Sequence, residues 1–346
     1  MGTRLNTLIN EYIKGANKFF PELDFSSSFS MYAGNEPTST KFEFGNHDAA
    51  IKNSLYRINN EQTFIHFTTI DSLFNILNTA QLRLYNLYNL NDPKEFRYAL
   101  SNAGIKQNEI NLEYYKRNMF LTSFCSYNMK EQDEDYNMWR LYGGDGNGVG
   151  LVFGIEDYQN HWNEVYFGKV HYGNSNEAFN NLKAFIDYHH SFNNDHKILD
   201  TYPTWIPVMC MLHKDKIWEI EKECRLFAFC PFDEYTFESD PGIKNYLMYD
   251  HINHCINKKG EKVAYTHIPL NLPKIKEEFQ KKLKDTEGGA ESLFSSFPHF
   301  KLKRIVLGYN LNKAAFNTMD YAYKIAKEKL GYSVEIFDSV FKKILQ

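Results

Sequence analysis

Short runs of strand-forming residues recur from Thr63 onward, separated by segments with helical spacing, and this alternation constrains the fold more than any other feature. Thr63–Thr68 is the first strong run. After it, residues 70–78 put Ile70, Leu73, Phe74 and Leu77 on one helical face, with Asp71 or a nearby Thr as the cap. Gln81–Tyr85 alternates like a strand, the turn Asn89-Leu90-Asn91-Asp92-Pro93 stops it, and a helix is expected from Pro93. Residues 119–124, 150–155, 166–172 and 224–229 read as further strands. Residues 302–308, 313–330 and 333–341 read as a closing strand–helix–strand unit. The pattern predicts a mixed α+β fold, with one domain over residues 61–346 and a helical insertion at about 174–215. Residues 1–60 read as a helical lead-in: a helix at 5–20, loops at 26–30 and 35–40, and a helix at 49–58.

Composition narrows the function classes. With 346 residues the chain can bury a sizeable core, and an aromatic share of 16% lines that core and any cleft with rings. A formal charge of −4 argues against nucleic-acid binding through overall charge, although it leaves room for a local basic groove, for instance near Lys301–Arg304; Lys258–Lys262 reads equally well as a solvated face. No apolar run approaches the ~20 residues of a membrane span, and Met1-Gly2-Thr3-Arg4 lacks a signal-peptide core. The five scattered cysteines form no CxxC pair, which is the usage of a reducing compartment, so a cytoplasmic protein without a membrane is expected.

Several residues stand out locally, each with two readings. His66 alternates away from Ile65 and Phe67, either as a hydrogen-bonding residue at the mouth of a cleft or as a satisfied core or surface histidine. Glu219, Glu221, Glu223 and Arg225 recur with period two in Trp218–Arg225. If that segment is a strand, the four share a face, which either perturbs a functional carboxyl or forms a solvated edge. Trp139 and Tyr142 are spaced i, i+3 and could stack on a planar ligand or fill the core. Arg83 could meet a phosphate or pair with an acid. The glycine-rich Gly143–Gly148 lacks the context of a phosphate loop and reads as a mobile turn. His251, His254 and Cys255 lack the second ligand pair of a zinc finger, so no metal is expected.

In order and approximate spacing these segments resemble the DUF2971 family, across about residues 62–310. The pieces that carry the resemblance are Ile65–Thr69, Leu82–Leu84, Asn91–Pro93, Ser123–Ser126, Met138–Tyr142, Gly148–Phe153, Trp218–Arg225 and Ile305–Gly308. Cys125 departs from the pattern, standing where the family's Phe-Ser step has its serine. The layout also resembles the split β-sheet core of ADP-ribosyltransferases of the His-Tyr-Glu type. That resemblance implies NAD as a substrate, His66 as its ribose anchor, Tyr142 as the stacking ring and Glu221 or Glu223 as the carboxylate. Arg83 would meet the pyrophosphate, and Thr68, Trp139 and Arg225 would stand at further NAD-contacting positions. It further implies ADP-ribose transfer to a macromolecular acceptor (RNA, DNA or protein), as a toxin or antiphage effector with a possible antitoxin or chaperone partner. The alternatives are NAD hydrolysis on the same site, or a non-catalytic binding module.

Overall fold

A computed structural model describes residues 2–21, 25–33, 36–44, 49–58, 63–90, 94–156, 162, 165–196, 202–203, 205–230, 252–257, 260–282, 298–311 and 315–345. The fold is α+β around a ten-stranded, mostly antiparallel sheet. Its path runs β11 (Asn253–Ile256), β12 (Lys262–Pro269), β4 (Gln81–Asn86), β5 (Met119–Tyr127), β3 (Thr63–Thr68), β6 (Val149–Ile155), β13 (Phe300–Leu307) and β14 (Glu335–Asp338). Two more strands, β10 (Glu223–Phe229) and β7 (Val165–Lys169), join this path through β5.

The branching at β5 positions everything that follows. One edge of β5 pairs with β10 along its length, from Cys125↔Glu223 to Met119↔Phe229. The other edge is shared: β4 takes Phe120 and Leu121, and β3 takes Cys125, Ser126 and Tyr127. Between those two neighbours, residues 122–124 face a split in the sheet.

Helices cover both faces. Helix α3 (Ile70–Thr79) is capped by Thr69, whose side chain accepts from the Ser72 N–H, and buries Leu73, Ile76 and Leu77. It packs against α10 (Ala315–Leu330), the helix of the predicted strand–helix–strand closure, and β13 and β14 are parallel as that connection requires. A second core joins the lead-in to the insertion: Ile9, Tyr12, Phe20 and Ile51 pack with Phe179, Leu182, Phe185 and Trp205. Helices α1 (Gly2–Ala16), α7 (Glu177–His196) and α8 (Trp205–Cys210) thus form one helical layer with β7 and β10. Among the described residues, no helix is long and apolar enough to cross a membrane.

Four local expectations are corrected. The segments read as loops near 26–30 and 35–40 pair as an antiparallel hairpin, β1 (Phe25–Ala33) with β2 (Glu36–Phe44). The helix expected at 49–58 stops at α2 (Ala49–Lys52), because the Ser54 hydroxyl donates back to the carbonyls of Ala50 and Ile51. The glycine-rich Gly143–Gly148 is strapped to the end of β13, with Gly308 N–H donating to the Gly148 carbonyl at 3.0 Å. A methyl group on Gly148 would stand 2.3 Å from the Thr68 carbonyl oxygen, so glycine is what lets the turn close on the sheet. Trp218–Arg225 is not one strand. Its first part is a 3-10 helix, Lys216–Glu221, and Lys222 (φ 44°) reverses the chain before β10 begins at Glu223. Period two therefore holds for Glu223 and Arg225 only, and Glu219 is exposed. The turn Asn91–Pro93 and His251 lie outside the described residues, as do Lys258 and Lys259.

Candidate functional site

A cavity of about 270 Å3 lies over the split. Its walls come from β3 (His66), β4 and the turn after it (Tyr85, Asn86, Asn89), the stretch of β5 that has β10 on one edge and no strand on the other (Thr122, Ser123, Phe124), and the end of helix α6 (Tyr136–Leu141), where Tyr142 caps the helix. The floor holds Glu95, Lys214, Glu221, Glu223 and Arg225.

His66 bridges the split. Its Nδ1 lies 2.8 Å from the carbonyl oxygen of Ser123, a group of β5 that faces neither β3 nor β4 at that point. A carbonyl only accepts, so Nδ1 carries the proton and Nε2 is left as the acceptor of a neutral ring. Burial lowers the pKa of this histidine, outweighing the opposing effect of the Ser123 bond, so the neutral form prevails near pH 7.

The floor is a buried ionic network. Arg225, 1% exposed, donates from Nε to Glu223 Oε1 (2.7 Å), from Nη2 to Glu223 Oε2 (3.0 Å) and from Nη1 to the Met211 carbonyl (2.7 Å). It also ion-pairs with Glu95, which begins helix α4 (Glu95–Ala103). Lys214 Nζ lies 2.6 Å from both Glu221 Oε2 and Glu223 Oε2, and 3.7 Å from Glu95 Oε1. Glu221 Oε1 accepts from the Tyr142 hydroxyl at 2.6 Å, and the Glu223 N–H donates to the Tyr172 hydroxyl at 2.8 Å.

The network sorts its three carboxylates. Burial raises the pKa of Glu223, but Arg225 and Lys214 outweigh it and hold the carboxyl down at about 2. Glu95 goes the other way: burial exceeds the attraction of Arg225 and Lys214 and raises its pKa. Set against two cations, three carboxylates leave the floor one negative charge in excess when all are ionised. Glu223, gripped by a bidentate guanidinium, is structurally committed. Glu221 is different, since one of its partners is the neutral hydroxyl of the half-buried Tyr142, which a ligand hydroxyl could replace.

The cavity thus gathers His66, Tyr142, Glu221, Glu223 and Arg225 from the residues singled out in the sequence. Thr68, Arg83 and Trp139 do not line it. Thr68 ends β3 opposite Val149, and the Arg83 guanidinium lies over the Tyr265 ring at 4.5 Å. Trp139 is fully buried, donates to Glu134 and packs edge-on against Phe67, so its ring is core. At Lys301–Arg304, where a basic groove was expected, Lys301 pairs with Glu156 and Arg304 with Glu335, which offsets two of the three positive charges. Among the described residues, no group of His, Cys, Asp and Glu is arranged to hold a metal ion.

Sequence reading missed Glu95, Lys214 and Asn86. Glu95 looked like an ordinary first-turn acid of a helix. Lys214 carried a usable signal, being a lysine two residues after the apolar run Val208–Leu212. No curated protein and no solved structure matches the chain. Over residues 138–226, which include the Tyr142 cap, Lys214 and the Glu221–Arg225 segment, the chain matches the family described as Protein of unknown function (DUF2971), and this match supports its assignment there.

Proposed function

We propose that this cavity binds NAD by its nicotinamide riboside end and cleaves the bond between nicotinamide and ribose, passing ADP-ribose to a macromolecular acceptor. The observation that carries the reading is the convergence of His66, Tyr142 and Glu221 on one cavity across the split of β5. At about 270 Å3 the cavity suits one ring and its sugar, just under the ~300 Å3 at which whole-ligand pockets begin. The His66 Nε2 is an acceptor suited to a ribose hydroxyl. The Tyr142 ring offers a stacking face beside it, and Glu221 is the carboxylate for the ribose next to the breaking bond. As nicotinamide leaves with the bonding pair, positive charge develops on the sugar, and a floor of three carboxylates against two cations favours that charge when all three are ionised. The acceptor's nucleophile then bonds to the anomeric carbon and releases its proton.

Incubation with NAD labelled in the adenylate part tests the reading. Label retained on protein or nucleic acid supports transfer, free ADP-ribose alone supports hydrolysis, and Glu221→Gln should abolish either product. A second reading, a non-catalytic binding module, draws support from the internal bonds to every carboxylate oxygen of Glu221 and Glu223. It predicts NAD binding or partner capture with no turnover in wild type.

A further inference from the structure

Antiparallel partners share a face of a sheet, so the pairs Leu121↔Phe227, Ser123↔Arg225 and Cys125↔Glu223 set one row of β5 side chains beside the ionic floor. Tyr85 continues that face beyond Leu121, and Ile65 continues it beyond Cys125. Tyr85, Leu121, Ser123, Cys125 and Ile65 all line the cavity, and Ser123 places a hydroxyl in the middle of the row. Among the described residues that hydroxyl makes no hydrogen bond, and Ser123 is only half-buried, so the group is open to the cavity and not sealed in the wall. Its main chain is fixed on both edges, by β10 on one side and by the His66 bond to its carbonyl on the other. The hydroxyl is thus held in place without being used by the protein.

The other donors nearby are directed at carboxylates. Arg225 donates to Glu223, Lys214 to Glu221 and Glu223, and the Tyr142 hydroxyl to Glu221. The N–H and O–H groups of a ligand find carboxylates to accept them, whereas an acceptor oxygen finds its uncommitted donor in Ser123. We infer that Ser123 is a specificity residue, donating a hydrogen bond to an uncharged carbonyl oxygen, of a ketone or carboxamide, on a ring bound in the cavity. A ligand carboxylate would meet Glu221 and Glu223 with both cations of the floor already paired, so the acid counterpart of such a ligand is disfavoured. The inference rests on the reading of this cavity as a ligand site, but not on turnover of NAD.

Binding is followed by NMR titration at about pH 8 with two pairs of small rings, 3-acetylpyridine against 3-ethylpyridine and nicotinamide against nicotinate. The first pair differs in one carbonyl oxygen at nearly constant shape and charge. Wild type should favour the ketone by about three- to tenfold, the scale of one neutral hydrogen bond, and should bind nicotinamide at least about tenfold more tightly than nicotinate. Ser123→Ala should erase the ketone preference and melt within about 2 °C of wild type, since the hydroxyl has no partner in the protein to lose. Ser123→Thr keeps the hydroxyl and should retain the preference. Ser123→Val, of the same shape as threonine without the hydroxyl, should lose it, and replaces the alanine variant if that one fails to fold. The inference is overturned if wild type binds neither member of the first pair, shows no preference or a reversed one, or binds nicotinate as tightly as nicotinamide. It is equally overturned if the preference survives in the alanine or valine variant or is lost in the threonine variant. NAD cleavage is assayed separately: a preference without cleavage removes the transferase reading and leaves Ser123 in its role, and cleavage without a preference does the reverse.

Discussion

Replacing Arg225 by methionine should be the most damaging single change to the site, and its damage should depend on pH in a particular direction. The guanidinium makes two hydrogen bonds to Glu223 and one to the Met211 carbonyl, and it ion-pairs with Glu95. Methionine fills much of the same volume but leaves Lys214 alone against three carboxylates. Removing one partner of a buried ionic network costs about 3–5 kcal/mol, because the charges left behind are uncompensated. The pKa of Glu223 gives a similar scale: a carboxyl moved from 4.5 to about 2 corresponds to roughly 3 kcal/mol of stabilisation at neutral pH. For a chain of this size the unfolding entropy is about 0.7 kcal/mol per degree, so the variant should melt about 4–7 °C below wild type.

The pH dependence is what separates this argument from a simple packing loss. In wild type the lowered pKa of Glu223 contributes stability above about pH 4.5 that disappears as the pH falls toward 2. The raised pKa of Glu95 has the opposite sign: its contribution is present below the usual carboxyl range and fades as the pH rises. Without Arg225 both carboxyls resemble Glu95, buried and short of cations, and protonation relieves them. Calorimetric melting at about pH 7.5 and about pH 5 should therefore show the deficit shrinking in acid. An equal deficit at both values, or one below about 1 °C at neutral pH, would refute the electrostatic account of this network.

Three further outcomes are expected. In nitrogen-detected NMR titrations, His66 should appear as the Nδ1-protonated neutral tautomer with a midpoint below 6.5, and a midpoint above that value would contradict its burial against Ser123. Gly148→Ala should cost about 1–3 kcal/mol, because its methyl meets the Thr68 carbonyl. Gly104→Ala, at φ 87° with open space around it, should cost only about 1 kcal/mol of backbone strain; chemical denaturation ranks the two, and a reversed order counts against the packed turn. Cys125, Cys210, Cys224 and Cys230 are buried, with burial pushing up the first three thiols, so Cys255 should label first with a thiol reagent under native conditions; equally fast labelling of Cys125 would refute that.

Much of the sheet was legible because its strands carry their own signal. Thr63–Thr68 is a run of β-branched and aromatic residues, Gln81–Asn86 alternates as a half-buried strand does, and residues 149–155 form the near-continuous apolar run of a strand covered on both faces. In the strands, the site was legible where a polar residue interrupts such a pattern, as His66 does in β3 and Arg225 in β10. Asn86 interrupts the same pattern in β4 and went unread, because it is also the first residue of a turn-rich stretch. The error over Trp218–Glu221 has a plain cause. Alternating Glu residues satisfy period two, yet Ile217 and Ile220 satisfy a spacing of three just as well, and Asp215 caps the helix that forms, accepting from the Ile217 N–H.

The split in the sheet explains why polar residues from such distant parts of the chain end up together. A strand with neighbours on both edges satisfies its backbone through the ladder, and no cavity can form there. Between Leu121 and Cys125, β5 keeps β10 on one side and loses a strand partner on the other. The His66 imidazole meets the Ser123 carbonyl in place of a strand, which leaves a gap lined in part by side-chain polar groups. Such a gap costs stability in an empty protein, and so do the unpaired Asn86 oxygen and the third carboxylate in the floor. These separate costs converge on one 270 Å3 volume. That concentration supports the proposal that the cavity is a ligand site, since natural folds tend to carry such local costs where they bind or react.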